Sequence, residues 1–69
     1  MRLTVNGDPR ELPEGATVAE LVQLTAEGRP PRGTAVAVDA EVVPRSAWER
    51  TALHDGQRVE VLRAIQGGA

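Results

Sequence analysis

The sequence predicts an α+β domain in which one helix packs across one mixed β-sheet. Short stretches with alternating apolar residues recur along the 69 residues, and only one stretch has the spacing of an amphipathic helix. A chain of this length buries roughly 60% of its unfolded surface, which allows one modest core. Because the chain has no cysteine, disulfides and cysteine metal sites are excluded, and we expect its stability to come from ordinary packing.

The first twelve residues predict a β-hairpin. Leu3 and Val5 alternate with polar residues, which is the period of a half-buried strand. Asn6 and Gly7 then supply the positive φ angles of a tight turn, and the short return strand ends near Leu12.

The segment EGATVAELVQLTAEG predicts the single helix. Thr17 is the expected N-cap, and Glu20, three residues on, completes a capping-box pattern. The residues that share the predicted inner face are Val18, Leu21, Val22 and Thr25. Gly28 is a suitable helix end, and the two prolines of the following RPPRG cannot continue a helix, so a loop follows.

The second half of the chain predicts three further extended segments. TAVAVD alternates as a strand does, and residues 41–43 form a brief extended piece. Pro44 opens a turn or short helical segment, in which Trp48 is more naturally a core anchor than an exposed contact. HDG then predicts a turn, and the last strand covers residues 58 to about 64.

This order of elements predicts how the strands pair. The first and last strands can lie side by side as parallel neighbours, because the connection between them contains the helix. That arrangement is the β-grasp, or ubiquitin-like, fold, with a sheet of four to five strands, although several topologies share this order of elements. In the last strand, Leu62 lies on the opposite face from Val59 and Val61. We expect residues 1–65 to form one domain and residues 66–69 a flexible tail.

Composition narrows the function classes. The net charge of −2 and the single aromatic residue argue against nucleic-acid binding, which normally uses a basic face and stacking aromatics. No apolar run approaches the roughly 20 residues that span a bilayer. The alternating N-terminal residues differ from the continuous apolar stretch of a signal peptide. We therefore expect a cytoplasmic protein that binds neither nucleic acid nor membrane.

Candidate catalytic side chains are few. His54 beside Asp55 could form a base and its orienting carboxylate, but Asp55-Gly56 is also a plain turn, which is the favoured interpretation. Ser46 has no second histidine to activate it and no glycine-rich elbow around it. The sequence therefore predicts no internal active site.

The remaining candidate for chemistry is a main-chain carboxylate in the segment AIQGGA. Two adjacent glycines there indicate either a frayed tail or a slim tail that enters a closed, water-excluding site on another protein. A carboxylate becomes a good acyl donor after transfer to the α-phosphate of ATP, since AMP leaves readily. A sulfur nucleophile could then convert the acyl-adenylate to a thiocarboxylate.

Four stretches together carry a resemblance to a known family. They are VNGDPREL, TVAELV, VAVDAEVVPRSAW and LHDGQRVEVLRAIQGG. With them, the sequence resembles the ThiS family, the sulfur carriers of thiamine biosynthesis, over essentially its whole length. The short chain is more similar to this family than to the related small subunit of molybdopterin synthase.

The resemblance implies a function and a set of partners. An E1-like adenylating enzyme (ThiF) uses ATP and magnesium to adenylate the terminal glycine, and sulfur from cysteine, delivered by a donor such as a cysteine desulfurase, makes the thiocarboxylate. Thiazole synthase (ThiG) receives the sulfur. By position, Gly68 is the acceptor and Gly67 its slender neighbour, and the exposed sheet side with Leu62 would dock on both partners. The carrier itself is a co-substrate, not an enzyme, and binds no cofactor.

Ala69 departs from the family pattern, because members typically end on the second glycine. One hypothesis is that a peptidase removes Ala69. A second is that the partner enzymes tolerate alanine, and a third is that Ala69 is not part of the natural sequence.

Three alternative functions remain open at the level of sequence. The chain could carry sulfur for molybdopterin or cysteine synthesis. It could be a ubiquitin-like modifier that is joined through Gly68 to lysines of target proteins. It could also be a non-reactive interaction domain, for which replacing Gly67 and Gly68 would have no effect.

Overall fold

The computed structural model describes residues 1–26 and 33–63. Its elements are β1 (Arg2–Val5), β2 (Asp8–Glu11), α1 (Val18–Ala26), β3 (Thr34–Val38), β4 (Glu41–Val43), a 3₁₀-helix (Arg45–Arg50) and β5 (Arg58–Arg63). The predicted helix end at Gly28, the predicted loop and the predicted tail at 66–69 lie outside the described residues. In the described ranges, no helix combines the length and the apolar character that a bilayer crossing needs.

The strands β1 and β2 form the predicted hairpin. They pair antiparallel, from Arg2 opposite Glu11 to Val5 opposite Asp8. Asn6 and Gly7 connect them with φ angles of +51° and +85°, as the turn chemistry requires. The prediction from the Asn-Gly pair is therefore confirmed.

The strand β5 lies at the centre of a five-stranded sheet with the order β2-β1-β5-β3-β4. It pairs parallel with β1, where Val5 lies opposite Val59, and antiparallel with β3, where Val36 lies opposite Val61. The connection from β1 to β5 includes α1, so the predicted parallel crossover and the β-grasp fold are confirmed.

The helix α1 begins with the predicted capping box. The Thr17 backbone N–H donates to Glu20 Oε1 at 2.8 Å, and the Glu20 N–H donates to Thr17 Oγ1 at 3.3 Å. These two bonds satisfy main-chain donors that the first turn leaves without helical partners. Three residues of the predicted inner face, Val18, Leu21 and Val22, are buried, and the fourth, Thr25, is half-buried.

The core lies between one face of the sheet and the two helices. Its buried side chains are Leu3, Val5, Leu12, Ala16, Val18, Leu21, Val22, Val36, Val38, Trp48, Leu53, Val59 and Val61. Trp48 is 5% exposed, and its indole N–H donates to the Val43 carbonyl oxygen at 3.0 Å. Trp48 is therefore a core anchor, as predicted, with a partner for its single polar group.

Candidate functional site

The central strand β5 leads towards the predicted acceptor glycine. Its last described residue, Arg63, precedes Gly68 by five positions. Gly67, Gly68 and Ala69 lie outside the described residues. The structure therefore describes the end of β5, from which the chain continues towards them. We refer to residues 61–63, the end of β5, as the tail base.

Asn6 holds the tail base from the side of the hairpin. Its backbone N–H donates to the Val59 carbonyl oxygen at 2.9 Å. Its side-chain Nδ2 donates to the Val61 carbonyl oxygen at 3.1 Å, and its Oδ1 accepts from the Val61 N–H at 2.8 Å. The side-chain amide of Asn6 thus makes the two hydrogen bonds to β5 that the main chain of a longer β1 would have made.

Arg63 connects the tail base to the helix. Its guanidinium donates to the carbonyl oxygen of Thr25, in the last turn of α1. The last four carbonyls of a helix lack helical donors, and the C-terminal end of the helix dipole favours a cation. The tail base therefore contacts the hairpin through Asn6 and the helix through Arg63.

The face of the sheet away from the core carries an apolar patch. Leu62, the predicted contact residue, is 67% exposed and lies opposite Ala35. Val42, on the outer strand β4, is 72% exposed and lies opposite Ala37. We call Ala35, Ala37, Val42 and Leu62 the open-face patch; its two central residues are small, and Glu60 lies opposite Ala37 on the same face. The predicted separation of Leu62 from the buried Val59 and Val61 is confirmed.

The internal catalytic candidates His54 and Asp55 lie in a turn. Asp55 Oδ1 accepts a hydrogen bond from the Arg2 backbone N–H at 2.7 Å, and Gly56 has a φ angle of +85°. His54 is exposed, and its backbone N–H donates to Gln57 Oε1 at 2.7 Å. These contacts form a turn, as the favoured interpretation predicted. Within residues 1–26 and 33–63, no three His, Asp or Glu side chains lie together as a metal site.

Sequence analysis missed the roles of Asn6 and Arg63. It assigned Asn6 to the turn alone, because a hairpin signal is local, whereas Asn6 and Val61 are 55 positions apart. The contact follows from the parallel register of β1 and β5, which fixes which residue lies beside the end of β1. A search for amide side chains directly after the first strand of a β-grasp pattern could have suggested it.

Comparison with known proteins identifies the family. The model of the ThiS family matches residues 3–68. The sulfur carrier protein ThiS of Escherichia coli K12 is 28% identical over 68 residues, which cover 99% of this chain and all of that protein. A thiazole synthase of Paramagnetospirillum magneticum is 35% identical over the whole of this chain, which spans only 21% of that protein's length.

Solved structures agree with this assignment. The crystal structure of the thiamine biosynthesis protein ThiS from Geobacter metallireducens has a TM-score of 0.80 and 34% identity, over 99% of this chain and 100% of that one. The solution structure of a thiamine biosynthesis protein from the same organism also gives a TM-score of 0.80 and 34% identity, over 100% and 90% of the two chains. The family match, the mixed five-stranded sheet and its crossing helix together place this chain in the ThiS family.

Proposed function

We propose that this chain is a sulfur carrier of thiamine biosynthesis, and that Gly68 is the residue on which sulfur is carried. The observation that carries the proposal is the family match, which extends from β1 through the Gly-Gly pair to residue 68. The central position of β5 supports it, because a strand paired on both sides gives the following segment a rigid origin.

The proposed reaction takes place on the main chain. The Gly68 carboxylate attacks the α-phosphate of ATP in the active site of an adenylating enzyme similar to ThiF, and magnesium pyrophosphate leaves. The terminal sulfur of a persulfide, formed from cysteine on a donor such as a cysteine desulfurase, then attacks the acyl carbon and displaces AMP. A thiol such as free cysteine cleaves the resulting acyl disulfide, which releases the thiocarboxylate and leaves the thiol oxidised in a disulfide. The thiocarboxylate delivers its sulfur to thiazole synthase. Gly67 and Gly68 contribute by having no side chain, which lets the segment enter a narrow site.

A thiazole synthase is the proposed recipient because of the Paramagnetospirillum relative. That protein is named a thiazole synthase, and about a fifth of its length is similar to the whole of this chain. When two domains are joined in one protein, each meets the other at a high effective concentration. Such a fusion is favoured when the two domains carry out successive steps of one process. This observation supports thiamine synthesis over molybdopterin or cysteine synthesis.

The open-face patch is the proposed docking surface for both partners. It includes Leu62 in the tail base, so a protein bound there lies next to the segment that continues to Gly68. Exposed apolar residues around small ones allow close packing of a partner, and burying Leu62 would remove its side chain from water. Specificity then comes from docking, and the chemistry comes from the partner enzyme.

The reaction requires a free carboxylate on Gly68. In the 69-residue chain this carbon forms a peptide bond with Ala69. We therefore propose that a peptidase hydrolyses the Gly68–Ala69 bond before adenylation, in the cytoplasm. The alternative is that the partner enzyme accepts a chain ending in alanine, and the experiment must distinguish this from removal of Ala69.

The test compares two chains, one ending at Gly68 and one at Ala69. Each is incubated with the adenylating enzyme, ATP, magnesium, cysteine and a cysteine desulfurase, and its intact mass is measured. We expect the shorter chain to exchange one oxygen for sulfur and the longer chain to remain unchanged until a peptidase is added. Gly67→Ala in the shorter chain is expected to slow the conversion, because its methyl group widens the segment.

Other outcomes point to other functions. If neither chain gains sulfur while the enzyme converts its own verified carrier, the proposed function is wrong. Isopeptide-linked products of higher mass would instead indicate a ubiquitin-like modifier. Conversion of the longer chain without a peptidase would show that alanine is accepted.

A further inference from the structure

We infer that Asn6 is a positioning residue for the reaction at Gly68. Its side chain fixes the tail base, so that a docked carrier presents the acceptor segment in one direction. This inference rests on the proposed function, but the contact on which it depends can be measured without any partner.

The first step of the argument is the end of β1. The last paired residue of β1 is Val5, which lies opposite Val59, and at Asn6 the chain turns with a φ angle of +51°. The main chain of the hairpin therefore leaves β5 two residues before Val61. The Asn6 amide covers this distance and bonds both the N–H and the C=O of Val61, at 2.8 and 3.1 Å.

The second step is the choice of residue. This position needs a side chain that tolerates the left-handed region, and it needs one donor and one acceptor directed at the same partner residue. Glycine meets the first need only. Aspartate keeps an acceptor for the Val61 N–H but directs its other oxygen at the Val61 carbonyl. Asparagine meets both needs, so the identity of residue 6 is explained by its bonds to Val61 as well as by the turn.

The third step is the effect of the end of β5 on the segment that follows it. Gly68 follows Val61 by seven positions, so the direction in which β5 ends at residues 61–63 sets where the segment that leads to Gly68 starts. Without Asn6, the described strand pairing of Val61 and Leu62 is with β3, and the Val61 side chain keeps its place in the core. The end of β5 then has more freedom, and fewer docked complexes place the acceptor carboxylate correctly.

The experiment uses chains ending at Gly68 with Asn6→Gly, Asn6→Asp or Gly7→Ala. Gly7→Ala is the matched control, because Gly7 has a φ angle of +85° and no atom lies within 4 Å of an added Cβ. This change strains the same turn but leaves the amide of Asn6 in place. Two measurements are made: hydrogen exchange of the Val61 amide relative to that of Leu21, and steady-state adenylation by the partner enzyme.

We expect Asn6→Gly to speed exchange at Val61, relative to Leu21, by about 10- to 100-fold, as the loss of two net hydrogen bonds predicts. Asn6→Asp should speed exchange less than Asn6→Gly does, because one carboxylate oxygen still accepts from the Val61 N–H, and Gly7→Ala should have no effect. In adenylation, kcat for Asn6→Gly should fall by about 10-fold with less than a twofold change in KM, because Ala35, Ala37 and Val42 remain in place. Gly7→Ala should retain the kcat of the unmodified chain.

Three results would decide against the inference. Equal exchange at Val61 in Asn6→Gly and Gly7→Ala would show that the amide does not hold the tail base. Equal kcat in these two variants would show that holding it does not matter for the reaction. If the unmodified chain is not adenylated at all, the proposed function fails and the positioning role fails with it, whereas the exchange data still judge the contact itself.

Discussion

Short polar side chains in three turns accept hydrogen bonds from main-chain N–H groups of distant strands. The pairs are Asn6 with Val61, Asp39 with Arg58, and Asp55 with Arg2. Each acceptor lies in a turn beside a strand, and its side chain adds to the hydrogen bonds that the turn backbone makes, such as that from the Asp39 N–H to the Arg58 carbonyl oxygen. In a domain with short strands, single residues of this kind determine where the sheet ends.

Trp48 permits a test at the residue scale. Trp48→Phe keeps most of the apolar contact but removes the donor to the Val43 carbonyl oxygen. We expect the free energy of unfolding to fall by about 1–3 kcal/mol, because the oxygen loses its partner and a cavity forms. Urea denaturation followed by circular dichroism measures this change. An unchanged midpoint would mean that the hydrogen bond adds no net stability.

At the scale of elements, the start of α1 depends on contacts from outside the helix. Isolated helices shorter than about 12–15 residues are marginal in water, and α1 has 9. The Val18 N–H donates to the Thr51 carbonyl oxygen at 3.0 Å, and the Leu53 N–H donates to the Ala16 carbonyl oxygen at 2.8 Å. The chain after the 3₁₀-helix therefore holds the first turn of α1 in place.

Thr17 tests the contribution of the capping box. Thr17→Ala removes the Oγ1 acceptor of the Glu20 N–H, and we expect a loss of about 1 kcal/mol of unfolding free energy. Thr17→Ser keeps the hydroxyl and serves as the control, with stability close to that of the unmodified chain. Thermal unfolding of the three proteins gives the comparison. If alanine and serine are equally stable at this position, the cap contributes nothing measurable.

At the scale of the whole molecule, the two faces of the sheet have different roles. One face packs against α1 and the 3₁₀-helix and forms the core. The other face carries the open-face patch, and the end of β5 belongs to both regions, because Val61 is buried and Leu62 is exposed. Stability and partner binding can therefore be changed by separate substitutions, even at adjacent positions.

Leu62 and Leu24 form a matched pair for this test. Both are exposed leucines, at 67% and 58%, but Leu24 lies on the helix, beside a groove of about 490 Å³. We expect Leu62→Asp to weaken binding to the adenylating enzyme by at least about 10-fold, and Leu24→Asp to have little effect. Neither change should alter the unfolding free energy by more than about 0.5 kcal/mol. Calorimetric titration measures the binding of each variant to the adenylating enzyme. Equal Kd values for the two variants would argue against the docking surface.

The local parts of the fold could be predicted from the sequence, and the long-range contacts could not. The Asn6-Gly7 turn and the Thr17 capping box follow from neighbouring residues, so their chemistry is visible in a short window. The bonds from Asn6 to Val61 and from Arg63 to Thr25 join residues 55 and 38 positions apart, and they exist only once the strands have paired. The role of Gly68 remains a prediction, since that residue lies outside the described ranges.

The contacts of Asn6 also bear on the chemical lifetime of the protein. In a loose chain, the nitrogen of a glycine that follows asparagine can attack the side-chain carbonyl carbon, expel ammonia and form a cyclic imide, which water opens to aspartate or isoaspartate. In the fold, Oδ1 and Nδ2 of Asn6 are both bonded to Val61, so the side chain is not free to turn towards the nitrogen of Gly7. Unfolded molecules have no such protection. Ageing by deamidation should therefore begin at Asn6 in molecules that unfold, and each damaged molecule would carry a new negative charge at residue 6.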